Sequence, residues 1–123
     1  MKLLLDTHVF LWIDAGDARL PAHVREVVGA SAGEVYVSAV SVWEIAIKRA
    51  TGKLRFNGSV GRSISGHKFL PLAITVDHAE RAGSLPQLHR DPFDRLLVAQ
   101  AQLEGLVLAT VDEQILHYQV PHL

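Results

Sequence analysis

The chain has 123 residues, 49% of them apolar and 20% charged, with a net charge of −1. These values fit one soluble folded domain spanning residues 1–123 and exclude a disordered chain. With no cysteine, disulfides, thiolate zinc sites, iron–sulfur clusters and a cysteine nucleophile are all excluded. The apolar runs Leu3 to Leu5 and Val9 to Ile13 are split by Asp6 and ended by Asp14, too short for a signal-peptide core or a membrane span. A cytoplasmic protein without a membrane segment is expected. The near-neutral total hides an asymmetry. Between Glu44 and Asp77 there is no acid, while Lys48, Arg49, Lys53, Arg55, Arg62 and Lys68 supply half of the twelve basic residues. Such a split suits a nucleic-acid or acidic-partner surface, with a solvated basic helix and loop as the plainer reading.

In chain order, Lys2 to Leu5 reads as a buried strand closed by Asp6. Pro21 to Val28 follows as a helix with Pro21 at its first position, and Val35 to Val37 as a second strand. Ser41 is expected to open a helix that stops at Thr51-Gly52. Asn57 to Lys68, with its glycines, reads as a weak helix or loop, Leu70 to Thr75 as a third strand, and Asp77 to Ser84 as a short helix. After a loop at Pro86 to Arg90, Asp91 caps a helix with Pro92 at its first position and an apolar face through Phe93, Leu96, Leu97 and Ala101. Leu106 to Ala109 is a fourth buried strand, and Asp112 to Leu116 a last helical turn. Apolar strands alternating with helices predict an α/β fold with a parallel sheet covered on both faces.

Four acids follow a strand or sit at a helix start: Asp6, Glu44, Asp94 and Asp112. In an open parallel sheet these places share one edge, so residues 38, 50 and 18 positions apart can meet in one cleft. Each acid has a purely structural alternative. Ser41 with Glu44 spells a capping box, Glu44 can pair with Lys48 one turn on, and the aspartates can cap turns or helices. Against this, Glu44 and Asp94 lie among apolar neighbours, where an acid is costly unless paired or metal-bound. Oxygen donors of this kind select Mg²⁺ or Mn²⁺. His8 and His89 are expected in supporting roles beside the acids, and Trp43 and Phe93 in the core.

The runs Leu4-Leu5-Asp6-Thr7-His8, Ser41-Val42-Trp43-Glu44-Ile45-Ala46-Ile47-Lys48, Gly52-Lys53-Leu54, His89 through Ala101, and Thr110-Val111-Asp112 resemble the PIN-domain ribonucleases of the VapC toxin type. The resemblance covers essentially the whole chain and is most specific around Asp94. It implies a three-layer α/β/α fold, and a metal-dependent endoribonuclease that leaves a 5′-phosphate and a 3′-hydroxyl. Asp6, Glu44, Asp94 and Asp112 would be the catalytic and metal-holding acids, with Asp112 at the most variable position and Thr110 supporting the site. It also implies Mg²⁺ (or Mn²⁺) as cofactor, a VapB-like antitoxin inserting a basic side chain into the cleft, and a homodimer. Lys48, Arg49, Lys53 and Arg55 would contact the RNA backbone, with Lys48 and Arg49 nearest Glu44. Two other readings stay open. A non-catalytic PIN-like module could bind RNA or a partner through the same surface. An aspartyl-phosphate receiver or phosphatase would use Asp6 as nucleophile and Thr110 as the later hydroxyl. The phosphatase pattern, however, wants an aspartate at position 8, which is His; a receiver wants paired acids at the first strand end and a lysine after a late strand, and neither is present.

Overall fold

A computed structural model describes residues 1–123. Four short strands, β1 (Leu3–Leu5), β2 (Val35–Ser38), β3 (Leu70–Leu72) and β4 (Val107–Ala109), pair in the order β3-β2-β1-β4, all parallel. Leu3 lies opposite both Val35 and Val107, which makes β1 an inner strand. The chain leaves β1 toward β2 and β3 on one side and returns through β4 on the other. This reversal opens a crevice at the carboxyl end of β1, where Asp6 follows. Pro71 is tolerated in β3 because β3 is an edge strand.

Side chains alternate across β1, so Leu3 and Leu5 enter one core and Leu4 the other. On the first face, α1 (Thr7–Ala15), α2 (Ala22–Ala30) and α4 (Val60–Gly66) contribute Phe10, Val24 and Ile64. On the second, α6 (Pro92–Glu104) contributes Leu97, Val98 and Ala101, with α5 (Val76–Ser84) packed on it. The remaining helix, α3 (Ala39–Ala50), lends Ile45 to the first core and Val40 to the second. A 3₁₀ turn at Ile115–His117 follows β4. The predicted three-layer arrangement is therefore present. No helix is long and apolar enough to cross a membrane.

Three local expectations differ. The segment after β1 is a helix, α1, which the sequence did not announce: Asp6 caps it by accepting from the Val9 amide at 2.7 Å, and Gly16 ends it at φ +62°. Its apolar residues lie on several sides, so no single stripe marks a period. The cap of α3 is Ser38, whose hydroxyl accepts from the Val40 amide at 3.0 Å, and not Ser41. Ser41 therefore sits inside the helix and no capping box with Glu44 forms. Pro21 caps α2 from just outside it rather than occupying its first position.

Candidate active site

The acids at the carboxyl edge of the sheet are held by a small set of hydroxyls and two nitrogen bases. Asp6 is 3% exposed because it leaves a central strand and immediately turns into α1. Its Oδ1 is occupied by the Val9 amide, and its Oδ2 accepts from the Thr110 hydroxyl, which arrives from the end of β4. Burial pushes the Asp6 carboxyl above the ordinary carboxylate range, Thr110 and Val9 oppose this, and the charge of Asp112 adds to it. The Thr110 oxygen also accepts from the Asp112 amide at 3.0 Å, so one hydroxyl ties the first acid to the last.

Glu44, 2% exposed, points from α3 into the same crevice. Thr7, the first residue of α1, donates to its Oε1 at 2.7 Å and shares a hydrogen bond with Ser41 at 2.9 Å. Lys48, one turn along α3, donates to Oε2 at 2.6 Å, the pairing expected from the spacing. That hydrogen bond holds the Lys48 ammonium above its usual range against partial burial, and the negative charges of Asp91 and Asp94 contribute.

Asp94 lies in the first turn of α6, whose cap is Asp91, accepting from the amides of Phe93 at 2.8 Å and Asp94 at 3.2 Å. Burial first, then the adjacent Asp91 charge, push the Asp94 carboxyl up to about 7; His89 opposes the rise and Glu44 reinforces it. His89 Nε2 lies 2.8 Å from Asp94 Oδ2 and 3.7 Å from Asp112 Oδ2. His89, Asp94 and Asp112 can each offer a ligand atom within 4.8 Å of the others. Tyr118 fixes this histidine, accepting from its backbone amide at 3.0 Å while donating to the Pro86 carbonyl at 3.0 Å.

The four acids thus meet at one edge: Thr110 joins Asp6 to Asp112, His89 lies beside both Asp94 and Asp112, and the charge of Glu44 acts on Asp94. His89 supports them, as its neighbourhood to Asp91 suggested. Three further residues of the site, Thr7, Asp91 and Tyr118, are not singled out for it by the sequence. Thr7 carries a signal, as the first polar residue after a strand-ending acid, whereas Tyr118 carries none. The basic residues divide. Lys48 touches Glu44, and Lys53 and Arg55 line a groove beside it. Arg49 projects elsewhere, donating to the Gly58 carbonyl at 2.9 Å beside Val42 and Ala46, so it is not near Glu44 as expected. Trp43 is not core: it is 58% exposed, meeting the half-buried Phe93 edge-on at 5.3 Å.

The donor chemistry fits a divalent cation. Asp6, Glu44, Asp91, Asp94 and Asp112 face one lysine, Lys48, and two histidines, His8 and His89, and two of these carboxyls bind protons more tightly than usual because burial and crowded negative charge both disfavour ionisation. Oxygen ligands in such a field favour a hard cation.

A parallel sheet with carboxylates gathered at its switch point defines an α/β protein with an acidic cleft. The chain belongs to the PIN domain family, whose model matches residues 3–121. Its structure is similar to a chain of a toxin–antitoxin complex from Klebsiella pneumoniae, with 18% identity and a TM-score of 0.69 over 99% of this chain and 96% of that one. It is also similar to a chain of VapBC2 from Rickettsia felis bound to a promoter DNA fragment, with 13% identity and a TM-score of 0.70 over 100% and 98%. DNA-bound VapBC from Salmonella typhimurium gives 16% identity and a TM-score of 0.67 over 100% and 97%. No curated protein sequence matches the chain.

Proposed function

We propose that the protein is a metal-dependent endoribonuclease and the toxin of a toxin–antitoxin pair in the cytoplasm. The observation that carries this reading is the crowding of buried carboxylates at the switch point, which leaves Asp6 and Asp94 with raised proton affinity. Asp6, Glu44, Asp94 and Asp112 would hold Mg²⁺ or Mn²⁺. Such a cation, when bound, supplies a water of lowered pKa and charge stabilisation at the phosphate. The remaining residues orient and balance these acids. Thr110 fixes the Asp6 carboxylate, and Thr7 with Lys48 fixes both oxygens of Glu44. His89 holds Asp94 and is near enough to Asp112 to restrain it. Lys53 and Arg55 lie where they can neutralise flanking phosphates, whereas Arg49 faces away from that path.

By the family resemblance, water would attack the phosphorus, the P–O3′ bond would break and the 3′-oxygen would take up a proton, leaving a 5′-phosphate and a 3′-hydroxyl. The toxin role is supported by the fold shared with chains of named toxin–antitoxin complexes. A basic antitoxin side chain in the acidic cleft, and self-association of the toxin, belong to the same reading. The test is cleavage of single-stranded RNA by the purified protein with Mg²⁺ or Mn²⁺. Activity should vanish with chelator and in Asp94→Asn. RNA that is bound but never cut, with all four acids intact, would favour the non-catalytic module.

A further inference from the structure

A groove of about 480 Å³ runs along α1, away from the acids, and is walled on its other side by the end of α3 and the segment after it. One end of it adjoins the acid cluster, because Thr7 and Lys48, which hold Glu44, also line it. Farther along, its wall carries the rings of His8 and Trp12, with centroids 6.2 Å apart and planes inclined at 54°. Arg19 sits over the Trp12 ring at 5.5 Å and is held by Asp17, the one acid on the groove wall, at 2.7 Å. Lys53 and Arg55 face the same space and form no ion pair, so their charge is uncommitted.

Three features coincide here: ring surfaces, unpaired cations, and an end lined by Thr7 and Lys48, the two residues that hold Glu44. Single-stranded nucleic acid uses this combination, with phosphates on the cations and bases on the rings. The volume is that of a small-ligand site and does not admit a duplex. Resting on the nuclease reading above, we propose that this groove seats the nucleotide flanking the scissile phosphate of single-stranded RNA. Its base stacks on the Trp12 indole with the inclined His8 ring beside it, and its phosphates meet Lys53 and Arg55. Arg19 is a positioning residue that keeps the indole in place. Stacking carries no base-edge code, so selection is for an unpaired base at one fixed position, with the larger purine surface favoured.

The test uses an RNA with a mapped cut site, carrying 2-aminopurine at successive positions, bound to the whole protein in chelator. The fluorescence of this base falls when it stacks. Wild type should quench one position only. Trp12→Ala should remove that quenching and weaken binding about fivefold to a hundredfold, and Trp12→Phe should retain both. Lys53→Ala with Arg55→Ala should weaken all RNAs alike, leaving the quenched position unchanged. The same double change should flatten the salt dependence by up to ~0.7 for each phosphate that is no longer neutralised. If Trp12→Ala fails to fold, the Lys53/Arg55 double variant decides, because an unchanged salt slope overturns the groove as an RNA path. Unchanged affinity, quenching and cut sites in Trp12→Ala also overturn it. Loss of antitoxin binding with RNA binding intact reassigns the groove to the protein partner. Quenching without any cleavage by wild type would instead defeat the nuclease reading and leave the groove standing.

Discussion

The two ends of the sheet treat the same side chain in opposite ways. At the carboxyl edge, Asp6 is buried and Asp94 half-buried among other acids, and their carboxyls are pushed up. Toward the other end, Glu34 meets the N-terminal ammonium at 2.9 Å, and Asp17, beyond the end of α1, meets Arg19 at 2.7 Å. Both of these are pulled down, Asp17 to about 2, chiefly by the hydrogen bond with its cation. A carboxylate that ties a loop comes with its own counter-charge in solvent. The carboxylates at the crevice are too many for the cations supplied, and that excess is what invites a metal ion.

The contrast predicts a graded series of effects. The largest is on activity: Asp94→Asn or Asp6→Asn should reduce RNA cleavage by roughly 10³-fold, in line with losing one charge-stabilising group at a reaction centre, with circular dichroism unchanged. Next, Thr7→Val keeps the shape of the side chain but strands the buried Oε1 of Glu44. A cost of about 1–3 kcal/mol in denaturant unfolding is expected. A carboxyl raised in the folded state favours the protonated form there, so Asp94 should lower metal-free stability progressively as pH rises from 3.8 through about 7. Relative to wild type, Asp94→Asn should therefore gain about 1–2 kcal/mol above pH 7 in chelator and nothing below 3.8, the figure being reduced for solvent screening. Added Mg²⁺ or Mn²⁺ should raise the melting temperature of wild type and not of this variant. A loss of stability in Asp94→Asn would mean that the acid is a structural cap. The smallest effect belongs to the other end. Asp17, lowered to about 2, contributes above 3.8, and that contribution fades as pH falls from 3.8 to about 2. Because the pair is exposed, Asp17→Asn should leave melting at neutral pH unmoved, especially in high salt.

The same division governs what could be read from the sequence. The strands were legible because a parallel strand covered on both faces is apolar throughout, as Leu3 to Leu5 are. The acids were legible because strand ends and helix starts share an edge in this topology. Less visible was α1, whose residues from Val9 to Ile13 are apolar without a clean stripe. Two serines three residues apart, Ser38 and Ser41, both fit the cap of α3, and only the length of β2 decides between them. Trp43 has apolar neighbours in sequence yet stands exposed on its helix, with the Phe93 ring edge-on to it. The fate of Arg49 depended on the angular step from Lys48, a single residue that carries it around α3 to Gly58.

The hydroxyl of Thr110 bonds a carboxylate 104 residues earlier in the chain. A ribosome delivers Thr110 104 residues after Asp6, when both cores have most of their members, so the order of synthesis leaves the cleft incomplete until then. Until β4 takes its place beside β1, Asp6 lacks this donor, and neither Asp112 nor the Tyr118 anchor of His89 is in position. If the cleft cuts RNA, a chain in which β4 has not yet joined β1 lacks two of the groups that complete the centre, Thr110 and Asp112.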